Sequence, residues 1–135
     1  MKLLLDTDVC IAILNRNERV HEALLRHAPS QLRMSAITLA ELRFGAAKSA
    51  NGRRAGANLR VLLGKIAAVP FDAAATERYG SLRAHLEARG SPIGPLDTLI
   101  AAHALSLGWR LVTHNVREFR RVPGLRVDDW LGPAS

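Results

Sequence analysis

Only one cysteine, Cys10, occurs in the 135 residues. No internal disulfide can form, and no zinc site can be built on cysteine pairs. That scarcity fits a reducing, cytoplasmic setting. Aromatic residues make up 4% of the chain, so the core has to come from Leu, Ala, Ile and Val. This favours helices packed on a sheet over a β-sandwich. Long hydrophobic runs are missing as well. The opening Met1-Lys2-Leu3-Leu4-Leu5 starts like a secretion signal, but Asp6 and Asp8 interrupt it far too early. The stretch from Leu96 to Leu107 contains Asp97 and His103, and nothing approaches the ~18 apolar residues of a membrane span. No Gly-rich loop is present, which excludes nucleotide binding of the P-loop kind. No His pair stands at helical spacing, which argues against zinc. Repeats, low-complexity tracts and linkers are absent too. The expectation is one domain over residues 1–135, long enough to bury a core without covalent staples.

Hydrophobic residues make up 48%, and the formal net charge is +7. Lysine occupies positions 2, 48 and 65 only, so 16 of the 19 basic residues are arginine. Arginine binds phosphate oxygens in a bidentate way that lysine cannot match. A basic excess suggests a polyanionic partner, nucleic acid or an acidic protein. An Arg-rich composition without functional meaning accounts for the charge equally well.

Segments 2–6, 66–71 and 110–113 read as short strands, and 32–34 and 125–127 as weaker ones. Their apolar runs suit a parallel sheet buried on both faces. Helical patterns lie between them over 9–15, 18–27, 35–48, 52–64, 72–89 and 95–107. Ser35 and Asp72 sit where helix caps belong, and Gly90 and Gly108 where helices end. Alternating strands and helices predict a three-layer αβα domain.

Several acids stand out within that frame. Asp6 closes the first strand, and ligands of open parallel sheets bind beyond strand carboxyl ends. Capping of the next helix by Asp6 or Asp8 is the competing explanation. Glu41 shares its helical face with Ile37, Thr38, Phe44 and Gly45, none of them basic. A carboxylate placed there needs a distant Arg, a metal or water if it is buried. Asp97 opens a helix with uncharged Ile100 and Ala101 beyond it; favourable interaction with the helix dipole explains it as readily as function does. Thr113-His114-Asn115 ends the fourth strand, with Glu118 one turn on; an ordinary polar turn is the alternative. His103 reads as a packing residue.

Taken together, three carboxylates and a Thr-x-Asn fall at element ends that an αβα topology gathers at one edge. Clustered acids repel unless a cation neutralises them. Hard ions such as Mg²⁺ take oxygen ligands and keep several waters. Such an ion polarises phosphoryl oxygens and generates hydroxide from water.

With these residues in place, the chain resembles the PIN-domain ribonucleases, and among them the VapC toxins. The resemblance is carried by Leu5-Asp6-Thr7-Asp8, by Ser35-Ala36-Ile37-Thr38-Leu39-Ala40-Glu41-Leu42-Arg43-Phe44-Gly45, by Pro92 to Ala104 and by Leu111 to Phe119. Each piece is weak alone, but four in order are specific. The resemblance implies a five-stranded parallel sheet between helices. It also implies Mg²⁺ or Mn²⁺ bound by Asp6 and Asp97, with Glu41 completing the acidic cluster. The family's fourth position is often Asp; here it is Asn115, which adds no charge and so orients water or a neighbouring carboxylate. Thr113 and Asp8 support the site, although Asp8 stands where many relatives carry Asn or Ser. Segments 49–65 and 120–135 match only loosely.

The same resemblance implies hydrolysis of structured RNA, tRNA being favoured, leaving 3′-hydroxyl and 5′-phosphate ends. Arg53, Arg54, Arg60, Arg117, Arg120 and Arg121 are the candidates for its backbone, competing with plain solvated surface charge. A VapB-like antitoxin is expected to occupy the site, and a homodimer is expected. Two rival functions are a haloacid dehalogenase-type phosphatase and a non-catalytic RNA- or protein-binding module. The phosphatase would use Asp6 and Asp8 as nucleophile and acid. Its pattern wants Thr or Val where Cys10 stands, however, and an acidic pair earlier than Asp128-Asp129.

Overall fold

Three consecutive leucines form strand β1 (Leu3–Leu5), every one of them buried. Side chains alternate across a strand, so Leu3 and Leu5 enter one hydrophobic cluster while Leu4 enters another. The sheet is therefore covered on both faces, which gives the three-layer αβα architecture. The computed structural model describes residues 1–132; the expectation of one domain over 1–135 runs past them.

The elements follow in the order β1, α1 (Thr7–Leu14), α2 (Glu18–Leu24), a 3₁₀ turn (Pro29–Gln31), β2 (Leu32–Ser35), α3 (Ala36–Lys48) and α4 (Gly52–Lys65). Then come β3 (Ala67–Val69), α5 (Ala73–Ala88), α6 (Pro95–Leu107), β4 (Arg110–Val112), α7 (Val116–Phe119) and β5 (Val127–Asp128). All strand pairings are parallel, in the order β3-β2-β1-β4-β5. The chain moves outward from β1 through β2 to β3, then crosses back to place β4 on the other side of β1. The junction between β1 and β4 is a topological switch point, where the carboxyl ends of parallel strands leave a crevice.

One cluster packs Leu3, Leu5 and Met34 with Val9 and Val20 of α1 and α2 and Leu59 and Leu62 of α4. The other packs Leu4 and Leu111 with Leu82, Leu86, Ile100 and Phe119 of α5, α6 and α7. His103 is 1% exposed. Its Nδ1 lies 2.8 Å from Ser35 Oγ, and its ring meets Phe71 edge-on. Burial holds its imidazole below the ordinary value, so it joins α6 to the head of α3 as a neutral packing group.

Local chemistry sets most boundaries. Ser35 accepts from Ile37 N at 3.0 Å and Asp72 from Ala75 N at 3.0 Å, as caps do. Pro95 starts α6, and Gly108 at φ 69° ends it in the left-handed region. Most boundaries fall within one residue of expectation, and the larger shifts are in α1, α2, β3 and β5. Helix α1 begins at Thr7 rather than Val9, because Asp6 accepts the Thr7 N–H. Helix α2 stops at Leu24, where Arg26 and His27 switch to the tighter bonds to Ala23 and Leu24. Strand β3 ends before Pro70, which has no N–H to donate. Strand β5 lies at Val127–Asp128 rather than 125–127, since Leu111 N bonds Arg126 O and Thr113 N bonds Asp128 O. No helix among the described residues is long and apolar enough to cross a membrane.

Candidate active site

The switch point collects the acids. Asp6 follows β1 directly, caps α1, and is 4% exposed. Its Oδ1 accepts from Thr7 N at 2.8 Å and its Oδ2 from Thr113 Oγ1 at 2.7 Å. Thr113 is itself buried at the end of β4, so Asp6 is fixed by groups from both strands of the crevice. Asp8 leans the same way: its Oδ2 accepts from His114 N at 3.1 Å. Its Oδ1 is buried and has no hydrogen-bond partner among the described residues. His114 in turn lies 3.2 Å from Asp129 Oδ1.

Glu41 reaches the site from the second turn of α3. Thr7 Oγ1 donates to its Oε1 at 2.7 Å. Asp97 sits in the first turn of α6, half-buried. Asn115 Nδ2 lies 3.4 Å from Asp97 Oδ2 and donates to Glu118 Oε2 at 2.6 Å. Glu118 Oε1 accepts from Gly94 N at 2.5 Å. A Cβ added to Gly94 would stand 3.5 Å from Glu118 Oε1 and 3.7 Å from Asp97 Oδ2, ordinary contact distances that place both carboxylates beside the start of α6.

The charges crowd one another. Asp6 is pushed up to about 6, first by burial and then by the charges of Asp8 and Glu41, against the pull of Thr113 and Thr7. Asp97 is pushed up to about 7 by burial, then by Asp6, Glu118 and Glu41. Asp8 is raised chiefly by burial. For Glu118 burial acts upward too, but the donors Gly94 and Asn115 outweigh it and hold its carboxyl below the ordinary value. The ion pairs among the described residues join Arg83 to Glu87, Arg110 to Asp128 and His114 to Asp129. None of them reaches Asp6, Asp8, Glu41 or Asp97.

Among the described residues, no three or more His, Cys, Asp or Glu side chains are grouped so as to hold a metal ion among themselves. A magnesium-like ion does not need one, since it binds through one or two carboxylates and retains waters. The candidate ligand atoms are all oxygen, no ion pair among the described residues reaches Asp6, Glu41 or Asp97, and the buried Asp8 Oδ1 has no hydrogen-bond partner there. The chemistry of these oxygen donors fits a hard divalent cation.

The structure brings Asp6, Asp8, Glu41, Asp97, Thr113 and Asn115 to one edge. The arginines divide. Arg117 and Arg120 are exposed on or just after α7, beside Asn115 and Glu118. Arg121 is spoken for in part, because its Nη1 donates to Pro92 O at 3.1 Å. Arg53, Arg54 and Arg60 are exposed on α4, an element that carries none of the acids. Sequence reasoning did not name Thr7 and Glu118 as site residues. Thr7 stands within Leu5-Asp6-Thr7-Asp8, and Glu118 lies three residues after Asn115, a spacing that faces it once α7 is a helix.

A family model described as PIN domain matches residues 3–125. The tRNA(fMet)-specific endonuclease VapC of Salmonella typhimurium is 40% identical over 131 residues, covering 96% of this chain and 98% of that protein. Ribonuclease VapC2 of Rickettsia felis is 35% identical, with 96% and 98% covered. Among solved structures, VapBC2 from Rickettsia felis bound to a promoter DNA fragment superposes with a TM-score of 0.91 at 35% identity, covering 96% of this chain and 99% of that one. DNA-bound VapBC from Salmonella typhimurium also gives 0.91, at 40% identity and with 96% and 98% covered. Sequence, fold and extent thus agree end to end: the chain belongs to the PIN-domain family, in its VapC ribonuclease branch.

Proposed function

We propose that this chain is the ribonuclease toxin of a toxin–antitoxin pair, cutting tRNA with Mg²⁺ or Mn²⁺ held by Asp6 and Asp97 and with Glu41 completing the site. The observation that carries this reading is that Asp6, Glu41 and Asp97 gather at the sheet's switch point with no ion pair to a basic residue among the described residues. Residues 1–135 are taken as one such domain, working in the cytoplasm as a homodimer. The family match leaves no support for the phosphatase alternative.

A divalent cation bound here would polarise a scissile phosphate and lower the pKa of the attacking water. The protein's own groups prepare the site. Thr113 holds Asp6 by donating to Oδ2, so the carboxylate need not reorganise. Asn115 turns its amide toward Asp97 and Glu118, orienting carboxylates without adding charge. Thr7 occupies Glu41 Oε1 and leaves Oε2 to accept a proton from water. Arg117 and Arg120 flank the acids and would meet the RNA backbone, a contact that weakens with salt.

The tRNA preference draws on the name of the Salmonella relative, which gives its substrate as tRNA(fMet). The antitoxin draws on the solved relatives, which are toxin–antitoxin complexes. A groove of about 1060 Å³ between the α1–α2 turn region and α4 offers such a partner apolar contacts. It is lined by Ile13, Leu14, Leu25, Val61, Leu62 and Ile66, and Leu25 and Val61 are mostly exposed.

The test is incubation of purified chain with tRNA(fMet), an elongator tRNA and a single-stranded RNA, with Mg²⁺ or with EDTA. The proposal expects metal-dependent cleavage of tRNA(fMet) that Asp97→Asn abolishes. Cleavage in EDTA would refute the cation. Cutting of every RNA at equal rates would refute the tRNA preference. No cleavage and no Mn²⁺ binding would favour a non-catalytic binding module.

A further inference from the structure

We propose that Thr7 is a positioning residue: its hydroxyl, backed by Thr38, sets the Glu41 carboxylate toward the cation site. The proposal rests on Glu41 serving that site. Thr7 Oγ1 lies 2.7 Å from Glu41 Oε1 and 3.2 Å from Thr38 Oγ1. A hydroxyl owns one proton, and a carboxylate only accepts. The Thr7 proton therefore goes to Glu41, and Thr38 is left to donate to Thr7. Thr38 is fully buried and stands one turn before Glu41 on α3. The three oxygens form a directed chain, running from α3 to α1 and back to α3.

Its geometry has a purpose. Glu41 is only partly buried, Phe44 three residues on is 65% exposed, and no ion pair among the described residues fixes the Glu41 carboxylate. Thr7 is the first residue of α1, and its own N–H is bonded to Asp6 Oδ1 at 2.8 Å. One residue thus ties Asp6 through its backbone and Glu41 through its side chain, so the two acids are held at a common spacing. A hydrogen bond to a charged acceptor is strong enough to hold one rotamer.

The test compares Thr7→Val, which keeps shape and loses the hydroxyl, with Thr7→Ser, which keeps the hydroxyl. Mn²⁺ affinity is read by titration calorimetry, and kcat and KM on tRNA(fMet) are read alongside. Thr7→Val is expected to weaken Mn²⁺ binding about tenfold and to lower kcat with little change in KM. Thr7→Ser should restore both to within about twofold, given the same donor. Added to Glu41→Ala, Thr7→Val should cost nothing further. Wild-type Mn²⁺ affinity in Thr7→Val would overturn the proposal, as would a Ser variant no better than Val, or an equal loss in the Glu41→Ala background. If Glu41→Ala itself binds Mn²⁺ and cleaves like wild type, the reading of Glu41 falls and takes the proposal with it. Should Thr7→Val fail to fold, Thr7→Ala carries the same comparison.

Discussion

Replacing Asp97 by Asn should make the protein more stable while it removes activity, and the gain should depend on pH. The Asp97 carboxyl stands at about 7 against an ordinary 3.8, because it is half-buried and faces Asp6, Glu118 and Glu41. At full weight a difference of that size is worth about 4 kcal/mol. Solvent screening of a half-exposed group reduces it to about 1–2 kcal/mol. Above about pH 7 the native state carries a crowded charge that the unfolded chain bears freely, so the penalty is present in full. Between the two values the native state keeps a proton the unfolded chain has released, and the penalty fades as pH falls. Asn removes the charge at every pH. Thermal unfolding of metal-free protein should therefore show Asp97→Asn raised by about 3–8 °C at pH 8 and nearly unchanged at pH 4.5. RNA cleavage at pH 8 should drop more than about 100-fold, exceeding what loss of an outer partner costs a metal site. A lowered Tm at pH 8, or an equal shift at both pH values, would refute the crowding argument.

Cation binding needs ionised Asp6 and Asp97, which stand at about 6 and about 7, so cleavage should climb through that range and level off above it; a flat profile from pH 5 to 8 would contradict this. Glu118→Ala removes acceptors for Gly94 N and Asn115 Nδ2 and should cost about 1–2 kcal/mol at neutral pH, read by denaturant unfolding. Because the Glu118 carboxyl is held below its ordinary value, that stabilisation should be lost as the solution is acidified through the carboxylate range. Arg117→Ala and Arg120→Ala should each weaken RNA binding and flatten its dependence on salt by roughly one ion; an unchanged slope would return those arginines to ordinary surface. Leu4→Ala, at a fully buried position, should lose about 2–5 kcal/mol of stability.

The three-layer fold was legible because its signals are local and repeated. Leu3–Leu5 is an uninterrupted apolar strand, and Ser35, Asp72, Gly90 and Gly108 punctuate the helices by backbone chemistry that sequence displays directly. Asp6, Glu41 and Asp97 were visible as acids on apolar elements without local partners. What sequence did not display is set by distant contact. Strand β5 takes its register from β4, so its place at Val127–Asp128 is decided by hydrogen bonds to Leu111 and Thr113 rather than by its own residues. Helix α7 has four residues, too few for a period to declare itself. Thr7 and Glu118 acquire their roles from Glu41 and Gly94, partners 34 and 24 residues away in sequence. Arg121, a candidate for the RNA backbone by sequence, donates in part to the carbonyl of Pro92, a partner 29 residues away.

The most direct test is anomalous diffraction from a crystal soaked in Mn²⁺. A single strong peak about 2.0–2.3 Å from carboxylate oxygens of Asp6 and Asp97, with Glu41 facing it directly or through water, is the predicted result. A peak elsewhere, or none at millimolar Mn²⁺ with both aspartates ionised, would contradict it.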